Sequence, residues 1–523
     1  MKKTLKIIGL ILALAFISCI TWVFIQTKDR HPDYWVDLEL EGEQNEILAG
    51  FSKVSITPTF FETWTDANGD AQYNPEDGDT FEDKNQNGEF DAIWLAGFQN
   101  NRPAQGVLDS LWARTMVLDA GNVKMALCVI DMIGFGNDEI ISTRKLIEAQ
   151  IPWIDYVIIA STHVHSSPDL MGMWGPSSFK RRVNPDYLDQ VQRGIVKSVE
   201  EAYNSLRPAE FKFGEETERL KPLVGDTRPP VILDASLRLM QVLDRETGKT
   251  LGTLMNWGNH PETLWSQNIQ ISSDFPSTWR DGVENGISLS DSMSNEGLGG
   301  VAIFLNGAVG GLMTTHPSMP IQDPFSGEEL LEPSPEKMKA QGDILAQITL
   351  ETLSDTSLNT FSKVNLRLKA KSFALPLDNK LFQLAAVIGI FDRGFVSWKK
   401  IRSEIAIWEL GPASFLHVPG ELYPEILHGG IEAPEGADFG IEPLEVPAIN
   451  TLTSGQFKFF GGISNDMIGY IVPKSQWDVE PPFTYDYEDR PYGEINSVGP
   501  ETAPILHQEL KSLLQDFYKK NPQ

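Results

Sequence analysis

The sequence predicts an α/β fold with a mixed, mostly parallel central sheet flanked by helices. Two observations carry that expectation. Apolar runs of strand length alternate with longer helical stretches from residue 112 onward. Polar residues able to do chemistry repeatedly follow the ends of those apolar runs, where open α/β sheets place their sites. At 523 residues with 41% hydrophobic content, the chain can bury a large core. Its 43 basic residues against 72 acidic ones give a net charge of −29, which repels phosphate backbones and argues against a nucleic-acid partner.

The elements follow in order. Met1-Lys2-Lys3 precedes nineteen uncharged residues, Ile7 to Ile25, closed by Lys28. A basic start followed by an apolar run of this length is an export signal, long enough to span a bilayer. We read residues 1–27 as a retained signal anchor. Lipidation at Cys19 and cleavage as a signal peptide are the alternatives. Lys2, Lys3 and Lys6 then stay inside, and the rest faces the periplasm or cell exterior. Cys128 lies in the apolar run Met125 to Ile130 and Cys19 in the leader, so no structural disulfide is available. Residues 28–47 read as a linker. Strands are expected over Ile47 to Ile56, Trp112 to Leu118, Lys124 to Ile130, Tyr156 to Ala160, Ser236 to Leu243, Thr250 to Trp257 and Gly300 to Leu305. Helices are expected over Asp138 to Gln150, Pro185 to Leu206 and Pro335 to Leu353. Later strands fall within Ile405 to His417 and Gln456 to Ile463, and a final helix over Pro504 to Tyr518.

Between the first two strands lies an insert, residues 62–92, with ten acids against one lysine by residue 91. Asp83, Asn85, Asn87 and Asp91 fall at positions one, three, five and nine around Gly88. Short oxygen-bearing side chains at this spacing curl around a hard cation such as calcium, and the glycine permits the turn. Trp94 stands where an EF-hand has its glutamate, so the loop is not an EF-hand. Asp66, Asn68 and Asp70 repeat the theme upstream, and Asp77 or Asp79 can complete either site. A solvated acidic loop is the alternative.

His163 and His165 follow the strand Tyr156 to Ala160 within Ser161-Thr162-His163-Val164-His165-Ser166-Ser167-Pro168. On extended backbone their side chains point to one side. His260 follows Thr250 to Trp257, and Asp131 follows Lys124 to Ile130. Imidazole and carboxylate groups at three strand ends point to one site, although local hydrogen bonding also accounts for a lone His-x-His. Leu170, Met171, Met173 and Trp174 are candidates for an apolar pocket beside it.

Several stretches together resemble the neutral/alkaline non-lysosomal ceramidase family. They are Ala49-Gly50-Phe51-Ser52-Lys53-Val54-Ser55-Ile56-Thr57-Pro58, the run Gln105 to Arg114, the histidine signature above, Asn256-Trp257-Gly258-Asn259-His260-Pro261, and Ile271-Ser272-Ser273-Asp274. The resemblance covers residues 48–310 best and implies a metallohydrolase-like catalytic domain over 48–523, here without the family's C-terminal β-sandwich. It implies a zinc ion held by His163, His260, Glu421 (in Val418-Pro419-Gly420-Glu421-Leu422) and Tyr470 (in Asn465-Asp466-Met467-Ile468-Gly469-Tyr470). It makes His165 the general acid/base or an oxyanion stabiliser, Tyr492 a second donor, Asp131 a residue orienting a histidine, and Arg114 its counter-charge. Where the family has Gly-Asp-Val-Ser-Pro, this chain reads Asn306-Gly307-Ala308-Val309-Gly310-Gly311-Leu312-Met313-Thr314. The family's serine is absent unless Thr314 or Thr315 replaces it, which favours zinc-activated water over a serine nucleophile. The expected activity is hydrolysis of an amide, in an N-acyl lipid or related compound, at the outer side of a membrane. An esterase on the same site and an inactive, calcium-stabilised surface protein are the alternatives.

Overall fold

The computed structural model describes residues 2–177, 180–181, 183–290 and 293–519. Met1 of the leader and the last four residues of the expected catalytic region lie outside them.

The chain opens with α1 (Lys2–Thr27), whose span Lys3–Thr27 is long and apolar enough to cross a membrane. The strands that follow are β1 (Asp37–Glu41), β2 (Leu48–Ser55), β3 (Trp112–Asp119) and β4 (Lys124–Ile130). Next come α2 (Asn137–Gln150), β5 (Tyr156–Ser161), α3 (Pro185–Asn204), β6 (Arg207–Glu216), β7 (Leu237–Asp244) and β8 (Thr250–Trp257). The chain continues through α4 (Phe275–Asn285), β9 (Val301–Asn306), α5 (Pro335–Ser354), β10 (Leu366–Pro376) and α6 (Lys380–Ile388). It closes with β11 (Lys400–Leu410), β12 (Ala413–His417), β13 (Phe457–Gly461) and α7 (Thr502–Lys519).

These strands form two sheets packed face to face. The larger runs β9-β8-β7-β6-β2-β3-β4-β5, with the short strand Thr360–Phe361 paired to β6. The smaller runs β1-β10-β11-β12-β13. Alternate residues on the facing sides interlock, including Phe51, Met116, Ile158, Phe211 and Leu254 against Leu368, Trp408 and Phe415. Helices α2 and α3 cover one part of the outer face of the larger sheet, and α4 and α5 cover another. The apolar side of α7 (Leu506, Leu510, Leu513, Phe517) covers the smaller sheet.

The expectation of a mostly parallel sheet is therefore corrected. Most neighbouring strands are antiparallel: β3-β4, β7-β8 and β11-β12 are joined by short turns, and β2-β3, β6-β7 and β10-β11 pair antiparallel across longer connections. Parallel pairing in these sheets is confined to β4/β5, β8/β9 and β12/β13. The expected linker 28–47 contains β1, an edge strand that pairs with β10 from Asp37–Lys371 to Glu41–Arg367. Its alternation of charge and leucine exposes one side and half-buries the other. The expected strand within Ile405 to His417 is the hairpin β11/β12, broken at Gly411, whose φ of +56° suits glycine.

Candidate metal centre

The three parallel pairs point their carboxyl ends at one place, and the polar residues gather there. Side chains at these ends also lock the two sheets together. The Asn256 carboxamide exchanges hydrogen bonds with the backbone of Phe460, at 2.7 and 3.0 Å, so β8 of one sheet grips β13 of the other. The Asn465 backbone N–H donates to Ile159 O at 2.7 Å, tying the chain after β13 to β5.

His163 lies just past β5, in left-handed backbone with φ +67°. A non-glycine residue in this region is strained, and such strain persists where the surroundings hold it. Here the His163 N–H donates to Met132 O and its ring Nδ1 lies 2.6 Å from Ile133 O, so the segment just past β4 fixes both backbone and ring. His260, past β8, repeats the arrangement with Nδ1 2.7 Å from Met313 O. In each ring an Nδ1–H that donates to a carbonyl leaves Nε2 as a free lone pair aimed inward. This backbone support is the usual way of setting a metal-binding tautomer.

The inward Nε2 atoms meet Glu421, the first residue after the turn from β12. Its Oε2 lies 3.4 Å from His163 Nε2 and 3.2 Å from His260 Nε2. The Tyr470 hydroxyl stands 3.5 Å from His260 Nε2, because residues 421–422 and 470–471 pair as short parallel strands. Donors about 2.0–2.1 Å from a tetrahedral zinc stand about 3.3–3.4 Å apart. The spacing, the mixed imidazole, carboxylate and phenol donors, and their burial therefore suit a zinc ion in size and chemistry. Burial opposes ionisation of Glu421, but the two imidazoles outweigh it and hold the carboxyl well below its ordinary range. Burial pulls the His260 imidazole down, yet Glu421 and Glu262 raise it above its usual value. Burial, then Glu421, pushes the Tyr470 phenol well above its usual value.

His165 belongs to the same cluster. The ligand atoms of His163, His165 and His260 lie within 4.8 Å of one another, and His165 Nε2 is 3.5 Å from His163 Nε2. Its ring partner sets it apart, since Nδ1 faces the Glu262 carboxylate at 2.8 Å instead of a backbone carbonyl. Burial lowers the His165 imidazole to about 4 despite Glu262, so the ring is neutral at pH 7. Burial alone would raise Glu262, but His165 and His260 hold it at about 2, a carboxylate. The Phe98 ring packs edge-on against His165, and a Cβ at Gly97 would lie 2.5 Å from His165 Cγ.

Sequence reasoning missed Glu262 and Arg102. Glu262 stands two residues beyond His260, a spacing that offered a signal. Arg102 offered none. Its buried guanidinium clasps the carbonyl oxygens of Ala96 and His165, and burial pulls it down to about 9.

Asp131 and Arg114 are corrected. Asp131 receives Arg280 on both oxygens, at 2.7 and 3.0 Å, and the Trp112 N–H. Arg114 pairs with Glu284 and donates to Ala302 O. They belong to a buried charge network under the larger sheet, because β3 directs Arg114 toward α4, away from the histidines. Thr315 is engaged with Leu223 O, Asn259 and Gln341. Thr314 borders His260 by a backbone bridge.

A narrow cavity of about 60 Å³ opens beside the cluster. Its walls include Ile133, Met171, Met173, Trp174, Phe382 and Phe391, with His163, His165, Glu421 and Tyr470 at the polar end. Tyr492 stands half-exposed at the rim with its ring 5.8 Å from that of Tyr470. Leu170 is turned away into the core beneath α3.

In the acidic insert, Asp83 Oδ2 accepts from Gly88 N–H and Asp66 Oδ2 from Ala71 N–H, each the sixth residue of its loop and each with positive φ. Asn85 and Asn87 donate to Asp91, and Asn68 donates to Asp70. Asp79 receives Ala67 and Asn74 N–H, and Asp77 receives the Asn74 amide. Buried Glu62 bridges the second loop by accepting from Lys84 and Asp91 N–H.

Most of the chain resembles two solved structures. A neutral ceramidase from Pseudomonas aeruginosa matches with a TM-score of 0.64 at 15% identity, over 92% of this chain and 76% of that one. A structure described as ceramidase complexed with C2 matches with a TM-score of 0.62 at 14% identity over the same shares. The chain thus has the fold seen in neutral ceramidases. No family model matches the sequence, and no curated protein does.

Proposed function

We propose that this chain is a zinc-dependent hydrolase of an amide bond, in an N-acyl lipid or related N-acyl compound, held at the outer face of a membrane by α1. The observation that carries the proposal is the donor set His163, His260, Glu421 and Tyr470, buried and spaced as zinc requires, at the polar end of an apolar slot.

These four residues would hold the ion. Zinc bound there would polarise a scissile carbonyl and lower the pKa of a water toward about 7. The remaining work falls to the chain. The Glu262 carboxylate stands 2.8 Å from His165 Nδ1, and Nε2 of the neutral ring faces the reacting centre as an acceptor. His165 takes the proton from the attacking water and returns it to the departing amine nitrogen. Tyr492, at the rim, donates to the oxygen on which charge develops. The slot takes the acyl chain, with Met171 and Met173 adjusting to its shape. The hydroxyl of Thr315 is committed to structural bonds, which sets Thr315 aside as a nucleophile.

We further propose calcium at the two insert loops, through Asp66, Asn68 and Asp70 and through Asp83, Asn85, Asn87 and Asp91. Their ions would be structural, in a chain whose cysteines, one exposed in α1 and one buried, do not pair. Screening zinc-loaded protein against ceramide, short N-acyl amides and esters tests the activity. Amide cleavage that disappears in His163→Ala supports it, whereas zinc-loaded protein inert toward every acyl substrate contradicts it.

A further inference from the structure

Helix α6 (Lys-Leu-Phe-Gln-Leu-Ala-Ala-Val-Ile, residues 380–388) is apolar on both faces. Phe382 on its inner side lines the cavity beside the histidines. Leu381, Leu384 and Ile388 recur at helical spacing on the outer side and are 64%, 49% and 39% exposed. A helix apolar all round belongs in a core or against lipid. This one is at the surface.

The neighbouring elements say which surface covers it. The last turns of α1 run against α6, where Trp22 Nε1 donates to Val387 O at 2.9 Å and Gln26 closes on Gly389. Below that contact, Arg30 pairs with Asp392 at 2.7 Å, and Lys28 bridges to Phe395 by its backbone. A spanning α1 therefore places α6 where the helix leaves the bilayer, at the level of the lipid headgroups. Beside the start of α6, the Leu377 N–H donates to Lys399 O, which brings up a hairpin carrying Trp398, 70% exposed, with Lys399 and Lys400. Tryptophan and lysine around an apolar stripe form the usual belt of a membrane interface, and here they sit on a chain that is acidic elsewhere.

We propose that α6 and the 397–400 hairpin lie in the outer leaflet of the membrane that α1 spans. The apolar stripe Leu381, Leu384 and Ile388 contacts lipid there, and an acyl chain passes from the leaflet along α6, past Phe382, into the slot. The inference rests on the anchor and N-acyl lipid readings above, and it adds the route by which a substrate insoluble in water reaches the site.

Environment-sensitive labels on the full-length chain in phosphatidylcholine vesicles test it. One label goes on Leu384→Cys in a Cys19→Ser background. A second goes on native Cys19 within α1. A third goes on Thr247→Cys in the Cys19→Ser background, in the turn before β8 at the end of that strand remote from the site. Lipids carrying a quencher near the headgroup are expected to reduce emission at 384 by about half and leave 247 unchanged. Quenching at 19 with none at 384 overturns the proposal and leaves the anchor standing. No quenching at 19 contradicts the anchor and removes the proposal with it. A label at 384 shielded from lipid by a second copy of the chain also overturns it.

Discussion

The histidine centre and the acidic insert are the two regions proposed to hold cations, and they are built in opposite ways. At the centre every donor is buried, comes from a different part of the chain, and is aimed by a partner that is itself fixed. Ile133 O and Met313 O set two rings, and paired strands set Glu421 and Tyr470. In each loop of the insert the donors lie within a nine-residue stretch that is exposed, and they are arranged by turns of their own backbone. A site assembled from distant elements draws its precision from the whole fold. A local loop can form wherever it is placed, and its main consequence is for the stability of its surroundings.

The largest expected effect separates the two regions. His163→Ala and His260→Ala should each lower amide turnover by roughly three orders of magnitude or more, since all later steps depend on the assembled site. Asp83→Ala should leave turnover within a few fold of the parent while lowering the melting temperature. Steady-state assays beside thermal denaturation check both, and an inactive but fully stable Asp83→Ala protein would break the comparison.

Next comes the division of labour among the three histidines. His165→Ala should retain zinc and lose turnover by about 10²–10⁴-fold. Glu262→Gln, which keeps the shape and removes the charge facing His165, should lose about 10–100-fold. Metal content measured with turnover decides this, and loss of zinc in His165→Ala would make that residue a ligand.

Chelating calcium should act on the insert alone. Calcium at about a hundredfold over its dissociation constant stabilises a protein by about 2.7 kcal/mol. Chelation should therefore lower the unfolding midpoint measurably, with zinc still bound. An unchanged midpoint would leave the insert a solvated acidic loop.

The smallest effect at neutral pH concerns a buried histidine outside both regions. His417 accepts from Trp408 Nε1 at 3.0 Å, and burial lowers its imidazole to about 3. The unfolded chain binds this proton below about pH 6.5 and the folded chain does not, so stability falls as pH drops. The slope is about 1.4 kcal/mol per pH unit between pH 6.5 and 3. His417→Gln should unfold more easily at pH 7 and show a shallower loss on acidification, readable by urea denaturation across that range.

How much of this was legible in the sequence follows from the same contrast. Local signals survived in part: the strands and helices expected from periodicity, the two Asn-Gly loops, and His163 and His260 past their strands fall where periodicity and motif put them, whereas β6, β10, α4 and α6 were not anticipated. Long-range pairing did not survive. Alternating strands and helices suggested parallel crossovers, but short turns at residues 120–123 and 245–249 join antiparallel neighbours. Glu421 and Tyr470 were placed through a resemblance, because nothing local marks a carboxylate 161 residues beyond His260 as its neighbour. Asp131 and Arg114 were misread for the same reason, since their partners Arg280 and Glu284 lie on α4.

The central claim is that His163, His260, Glu421 and Tyr470 hold one zinc ion. Elemental analysis of the purified chain and its variants tests it most directly. The account predicts one zinc per chain in the parent protein, none in His163→Ala or His260→Ala, and one in His165→Ala. Calcium without zinc in the parent, or zinc undiminished in both His163→Ala and His260→Ala, would contradict it.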